Sequence, residues 1–372
     1  MTDQGELGVR PREAVAALAP YVPGRHASTV MSQYGLDRVT KLASNENPFG
    51  PSPRAVEAAR QALAGVHAYP DGASTALRDR LAEQHGLARE NVVVGNGSDE
   101  IILLLALAYL EPGTEAILAT PPYSIHRTAV VASGGTPIGV PLRAYTHDLE
   151  AMAGAITDRT RLVFIANPHN PTGTYLDAAV LRRFVGALPS QTLLAVDEAY
   201  HEFVDDALRH SARDLLDDHP NVVTLRTFSK TYGLAGLRAG YALAHREIVA
   251  TLDRIRPPFG LNAVAQAAAL AALDDHAYVS RVVAETRAGR ARLLEIAHEH
   301  GLEVVPSQAN FVAMHAGDSR ALSEALLRRG VIVRPGENLG LPGWIRVSVG
   351  TADEIERFAA ALDACLAGRP PA

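Results

Sequence analysis

Hydrophobic positions along the chain fall into two kinds of pattern. Short unbroken runs have the length and continuity of strands buried on both faces: Val92-Val93-Val94, Ala116-Ile117-Leu118-Ala119, Leu162-Val163-Phe164-Ile165, Leu193-Leu194-Ala195-Val196, and Val222-Val223 with Leu225. Two further strands are expected at 136–140 and 240–244. Between the runs, apolar residues recur three and four apart, as at Ala55, Ala58, Ala59 and Leu63, or at Leu77 and Leu81, which predicts helices. Ser52 stands where one helix opens and Gly86 where another closes. Strand and helix alternate, so the expected fold class is α/β, with a mostly parallel central sheet covered on both faces.

The flanks read differently. The first forty residues are expected to form an arm and a short helix, interrupted by Pro11, Pro20 and Pro23. Residues 41–53, dense in amides, proline and glycine, are expected to be a rigid polar loop. After a break at 257–262, helices over 263–273 and 278–300 lead to strands near 304–312, 331–333 and 345–349 and helices near 321–329 and 352–366. This predicts an arm and first part of a small domain at 1–40, a large domain at 41–275, and a smaller α+β C-terminal domain at 276–372, with 368–372 frayed.

Polar residues collect at the ends of the strands, and in such sheets the carboxyl edge is where ligands bind. Gly95-Asn96-Gly97-Ser98-Asp99-Glu100 opens an apolar helix whose free N–H groups and dipole form an anion site, compatible with a phosphate at Gly97, Ser98 and Asp99. Asp99 and Glu100 fit equally as acids complementing the dipole. The segment lacks the third glycine of a dinucleotide fingerprint and the lysine of a P-loop. Tyr123 follows one strand, the Asn167 to Gly173 turn with Asn170 follows another, and Asp197-Glu198-Ala199-Tyr200 a third. The densest cluster is Thr227-Phe228-Ser229-Lys230-Thr231-Tyr232-Gly233-Leu234-Ala235-Gly236-Leu237-Arg238.

A lysine held off a strand end is partly desolvated, which weakens its ammonium form and frees the amine to condense with a carbonyl. Ser229 and Arg238 offer a hydroxyl and a forked cation to a phosphate. A carbonyl and a phosphate on one ligand describe pyridoxal 5'-phosphate. Asp197, expensive to bury unpaired, would keep a pyridinium nitrogen protonated. Tyr200 and Asn170 would donate to a ring oxygen and Tyr123 would stack on the ring; both tyrosines also fit as packed core aromatics. Arg346, flanked by apolar strand neighbours, suggests a bidentate anion or an internal ion pair.

Composition narrows this picture. With 372 residues, 47% of them hydrophobic, and a net charge of -6, the chain can bury a large core and has no basic footprint for nucleic acid or an anionic membrane. No apolar run approaches bilayer length, and the polar N-terminus does not resemble an export signal. The single cysteine, Cys365, cannot form an internal disulfide, which fits a reducing cytoplasm. The fourteen histidines offer no convincing metal-ligand pair, so no metal is expected.

Several stretches together resemble the fold-type I, aspartate-aminotransferase-like aminotransferases, and more closely the histidinol-phosphate and aromatic aminotransferase group. They are Lys41-Leu42-Ala43-Ser44-Asn45-Glu46-Asn47-Pro48, Asn170-Pro171-Thr172-Gly173, Asp197 to Tyr200, Ser229-Lys230 with Arg238, and Arg346-Val347-Ser348-Val349-Gly350-Thr351. The similarity covers nearly the whole chain in order. It implies that Lys230 binds the cofactor carbonyl and moves the proton between substrate Cα and cofactor C4', with Asp197 on the pyridine nitrogen and Tyr200 and Asn170 on the ring oxygen. It implies Tyr123 on the ring face and Ser98, Ser229 and Arg238 on the phosphate, with Tyr69 added by the second subunit of a homodimer. Arg346 would bind the substrate's anionic group, with Asn45, Tyr21 and Arg334 closing the pocket.

The resemblance also implies ping-pong transfer of an amino group to an oxo acid such as 2-oxoglutarate. Histidinol phosphate and the aromatic amino acids phenylalanine and tyrosine are the candidate donors, and since one arginine can bind phosphate or carboxylate, Arg346 does not choose between them. His169 and His126 depart from the family pattern; neither is expected to touch the chemistry, though both can shift substrate preference. The scaffold is similar to threonine-phosphate decarboxylases too, and aminotransferase-like domains serve as effector sensors in transcription regulators. Such a sensor needs a basic DNA-binding module, which is not expected in the short N-terminal stretch.

Overall fold

The computed structural model describes residues 9–20, 22 and 24–367; Tyr21 and 368–372 lie outside the described residues. In chain order the strands are β1 (Thr40–Lys41), β2 (Val92–Gly95), β3 (Glu115–Thr120), β4 (Thr136–Pro141), β5 (Thr160–Ala166), β6 (Leu193–Asp197), β7 (Val222–Thr227), β8 (Gly240–Ala244), β9 (Val304–Val305), β10 (Phe311–His315), β11 (Val331–Ile332), β12 (Arg334–Pro335) and β13 (Trp344–Ser348). The continuous apolar runs form one sheet with the order β2-β8-β7-β6-β5-β3-β4. Only β8 runs against its neighbours, so the carboxyl ends of the others share one edge.

Alternation of side chains sorts the sheet residues between two cores. Leu162, Phe164, Leu193, Ala195, Val223 and Leu225 pack beneath the helices Ser98–Tyr109, Ser124–Ser133 and Arg246–Asp253. Val163, Ile165, Leu194, Val196 and Val222 face the helices Leu149–Gly154 and Ala178–Gly186 on the other side. Both faces are covered, which is why the strand runs are continuous rather than alternating. Near β2 and β8, Val92, Val94, Tyr241 and Leu243 join a third cluster with Pro53–Leu63, Thr75–His85 and Ala263–Leu273. Ala265, Ala268 and Ala269 of the last helix are fully buried in that cluster beside Ala55, so small side chains are what let these helices approach.

The C-terminal part is a four-stranded antiparallel sheet of order β12-β13-β10-β9. Its core sets Ile345 and Val347 against Leu293 and Ile296 of the long helix His276–Glu299 and Phe358 and Leu362 of the helix Ala352–Leu366. The architecture is thus α/β with a mostly parallel sheet and a smaller antiparallel one.

Three local expectations are corrected. The run at 304–312 is two strands: Pro306 has no N–H for a ladder, and the Ser307 hydroxyl donates to the Phe311 carbonyl (2.6 Å) and accepts from the Ala309 N–H (3.1 Å), which makes a turn. Residues 40 and 41 are not arm or loop; they form β1, paired in parallel with β11, and Leu42 is buried in the C-terminal core. The first forty residues also hold two short helices, Glu13–Ala16 and Ala27–Tyr34. Among the described residues no helix is long and apolar enough to cross a membrane.

Replacing Ala268 by Leu should force the packed helices apart and lower stability by about 1–3 kcal/mol. Urea unfolding of the two proteins measures the difference, and a wild-type midpoint would show that the helix interface has room to spare.

Candidate active site

Where β7 ends, the chain folds into a tight turn that fixes Lys230. The Gly233 N–H donates to the Lys230 carbonyl (3.1 Å). Gly233 has φ 70°, and a Cβ there would lie 2.3 Å from the Gly50 carbonyl oxygen, so the turn closes against that neighbour only on glycine. Lys230 Nζ lies 5.7 Å from the centre of the Tyr200 ring. Burial first, and the Arg346 guanidinium second, lower its amine from the ordinary 10.5 to about 8; Arg238 acts the same way, while Asp99 and Glu46 oppose it.

Asp197 is the last residue of β6 and is 4% exposed. One carboxylate oxygen accepts from the Ala199 N–H (3.1 Å); the other lies 3.6 Å from His126 Nε2. His126 is stacked on Phe164 with centroids 4.6 Å apart and set edge-on to Tyr123 at 5.4 Å. The expectation that His126 stays clear of the chemistry is therefore corrected, because its ring faces the proposed nitrogen anchor. The available signal was its position three residues after Tyr123, on the inward stripe it shares with Ala129 and Val130. His169 bonds Thr172 Oγ1 (2.8 Å) and meets the edge of His147 at 4.7 Å. Burial holds its pKa well below the ordinary value, so it packs as a neutral ring beneath the Asn170 turn.

Tyr200 joins the large sheet to the C-terminal one. Asn45 Nδ2 (3.0 Å) and Asn170 Nδ2 (3.3 Å) both donate to its hydroxyl, whose pKa is pushed up to about 12, chiefly by burial. Arg346, on β13, donates to Asn170 Oδ1 (2.7 Å) and to the Ala43 carbonyl (2.9 Å). Asn45 adopts φ 54°, and its backbone N–H and side-chain oxygen both engage the Ser348 hydroxyl, at 2.8 and 2.9 Å. Arg334 sits opposite Arg346 in the β12–β13 register and donates to the Val22 carbonyl (2.6 Å). These partners come from widely separated parts of the chain, and pattern reading could pick out the residues but not the bonds.

The anion cradle lies at the mouth of the helix Ser98–Tyr109. Gly97 precedes it with φ 83°, and a Cβ there would come within 2.6 Å of the Arg238 guanidinium. Arg238 donates to one oxygen of Asp99 (3.1 Å) and the Tyr123 hydroxyl to the other (3.0 Å), so Asp99 bridges them. Ser98, the first residue of that helix, and Ser229 are both buried, and Ser229 Oγ accepts from Thr227 Oγ1 (3.0 Å). Tyr69 stands apart, 82% exposed and stacked on Phe259 with centroids 4.7 Å apart. Among the described residues no group of three or more His, Cys, Asp or Glu is arranged to hold a metal ion.

This set fits pyridoxal phosphate. A depressed lysine amine suits the carbonyl, a helix mouth with Arg238 and two serines suits the phosphate, a buried carboxylate suits the ring nitrogen, and paired amide and phenol donors suit the ring oxygen.

Comparison with known proteins agrees with the geometry. The family model described as aminotransferase class I and II matches residues 37–362. A histidinol-phosphate aminotransferase of Symbiobacterium thermophilum is 47% identical over 356 residues, covering 95% of this chain and 98% of that one. The crystal structure of histidinol-phosphate aminotransferase from Sinorhizobium meliloti in complex with pyridoxal-5'-phosphate superposes with a TM-score of 0.87 at 32% identity, covering 96% and 98% of the two chains. A mutant aspartate aminotransferase of Thermus thermophilus gives a TM-score of 0.82 at 27% identity, covering 95% and 100%. With the family model spanning most of its length and a relative this similar over nearly all of it, the chain belongs to the class I and II aminotransferases.

Proposed function

We propose that this protein is a pyridoxal-phosphate-dependent aminotransferase that moves an amino group between histidinol phosphate and 2-oxoglutarate. The observation that carries the reading is the placing of Lys230, its basicity lowered by burial, among Tyr200, Arg346, Arg238 and Asp99. The donor is supported by the names of relatives 42–47% identical to the chain.

When bound, pyridoxal phosphate supplies a carbonyl for the amine and a ring that accepts electrons from Cα. Lys230 Nζ would hold the cofactor's carbonyl carbon and, when freed by the donor amine, would be the base that moves a proton at the donor's Cα. Asp197 would hold the ring nitrogen in its protonated form. Tyr200 and Asn170 would orient the ring oxygen, Tyr123 would cover the ring, and Ser98, Ser229 and Arg238 would hold the phosphate. Arg346 anchors the anionic end of donor and acceptor in turn, with Asn45 and Arg334 behind it. Tyr69, exposed beside Val66 and Phe259, reaches the phosphate of the other subunit in a homodimer.

Four outcomes are expected. The folded apo-protein binds fewer protons at Lys230 than the unfolded chain does between about pH 8 and 10.5, so it gains stability as the pH rises through that window. Lys230→Met should therefore stabilise the apo-protein at pH 7, with an advantage in urea unfolding that shrinks above pH 8; a constant advantage would contradict the burial of the ammonium.

Mixing cofactor-loaded protein separately with histidinol phosphate, phenylalanine, tyrosine and glutamate, and following the cofactor absorbance, should show histidinol phosphate faster than the aromatic donors by about tenfold or more. The reverse ranking would make it an aromatic aminotransferase, and silence with every donor would sink transamination. Arg346→Met should lower kcat/KM at least about thirtyfold. Sedimentation should give twice the 39.5 kDa chain mass, and a single-chain mass would remove Tyr69 from the site.

A further inference from the structure

A second polar array lies on the other side of the strands that present Asp197 and Lys230. Side chains alternate along a strand, so Glu198, directly after Asp197, turns from the site. Thr231 lies past the end of β7 in the turn after Lys230, and its hydroxyl reaches Glu202 on that other side. Arg226, sharing the parity of Val222 rather than Leu225, points the same way as Glu198. Its guanidinium donates to Glu198 Oε2 from Nε (2.8 Å) and from a terminal nitrogen (2.7 Å), to Glu202 Oε1 (3.2 Å) and to Ser211 Oγ (3.1 Å). The Ala212 N–H donates to the other oxygen of Glu198 (2.7 Å). Glu202 Oε2 accepts from the Thr231 hydroxyl (3.2 Å), and the Thr231 carbonyl accepts from Asn47 Nδ2 (3.0 Å). Glu198, Arg226 and Thr231 are 1%, 6% and 0% exposed.

The array thus closes a path from the residue after Asp197 to the residue after Lys230 by directional, charge-assisted bonds. Its surroundings add His201, whose Nδ1 lies 3.6 Å from Glu198, with His85, Arg209, Arg213, Tyr232 and Tyr241. Burial lowers His201 to about 2, with Arg226 adding to the effect, so the ring is neutral and brings no competing charge.

We propose that Arg226, Glu202 and Thr231 are positioning residues whose buried chain of bonds to Glu198 fixes Lys230 Nζ relative to Asp197. The proposal rests on the aminotransferase reading of those two groups. Apolar packing and the contact of Gly233 with Gly50 hold the turn as well, but they are non-directional, whereas the bond from the Thr231 hydroxyl to Glu202 fixes the orientation of the residue next to Lys230.

The test uses Thr231→Val, which removes one hydroxyl at nearly constant shape, with Thr231→Ser as the conservative partner. The chain has only two lysines, Lys41 and Lys230, so reductive methylation with 13C-formaldehyde gives a titration of Lys230 with Lys41 and the α-amine as internal references. In apo-protein the wild-type midpoint is expected near 8, set by burial and by Arg346, Asp99, Glu46 and Arg238. Thr231→Val should move it toward 10.5 while Lys41 stays in place. In the loaded enzyme kcat should fall about tenfold with KM little changed, and Thr231→Ser should restore both readouts. If Thr231→Val does not fold, Thr231→Ala decides the matter, since it removes the same hydroxyl without changing any charge and should move the midpoint the same way. An unchanged midpoint, or a loss of thermal stability with midpoint and kcat intact, overturns the proposal. The midpoint is read without cofactor or substrate, so a protein that transaminates no donor still answers this question.

Discussion

A lysine amine serves as a base near neutral pH only where water is kept off its ammonium form, and that requirement shapes the site. Burial of Lys230 is unfavourable for the folded chain, and Arg346 and Arg238 add to it, while Asp99 and Glu46 limit the shift. The surrounding structure must be rigid enough to hold that condition. A glycine turn locked against Gly50, a strand end on one side and Tyr200 on the other supply the rigidity. Two arginines near one lysine are unfavourable alone, and they make sense where anions arrive: one at the helix mouth beside Gly97, one on β13.

The large sheet turns this local requirement into geometry. Six strands deliver their carboxyl ends to one edge, so residues far apart in the chain meet without long loops. The same edge has two sides. One residue along a strand reverses the side, so Asp197 and Glu198 belong to different environments while being covalent neighbours, and in the turn beyond β7 the Thr231 hydroxyl bonds Glu202 while its neighbour Lys230 lies over Tyr200. Chemistry is collected on one side and buried charge pairing on the other. Around the C-terminal sheet, β1 and Leu42 tie the segment carrying Asn45 to the strands that carry Arg334 and Arg346, so the two halves of the pocket are built partly from the same piece of chain.

Much of this was legible in the sequence because the signals were local. The strand runs were continuous because both faces are covered, and the polar clusters stood at their ends, so the sheet edge and the residues Asp197, Lys230, Asn170 and Tyr200 could be picked out together. Not all the short pieces were. β1 and β12 span two residues each, too few for any period to register, and their pairing is decided by distant partners, whereas β11 fell within the strand expected near 331–333 and β9 was merged into the run at 304–312. His126 stood out only as a departure from the family pattern and was expected to stay clear of the chemistry, because nothing in its own neighbourhood announces that Phe164 will stack on it or that Asp197 will lie 3.6 Å away. Asp99 read as a dipole acid or a phosphate neighbour; its role as a bridge between Tyr123 and Arg238 needed the fold.

The engagement of Arg346 has a consequence for selectivity. Its guanidinium is already held by the Asn170 side-chain oxygen and the Ala43 carbonyl, so an incoming ligand exchanges with neutral dipoles instead of settling into bulk solvent. Such an exchange rewards formal negative charge and rejects uncharged mimics of the same shape, because only an anion outbids a carboxamide for a buried guanidinium. It also leaves Asn170 with an oxygen to reorient, and Asn170 is bonded to Tyr200. A single amide thus couples the Arg346 guanidinium to the Tyr200 phenol, a short mechanical lever between β13 and the edge of the large sheet.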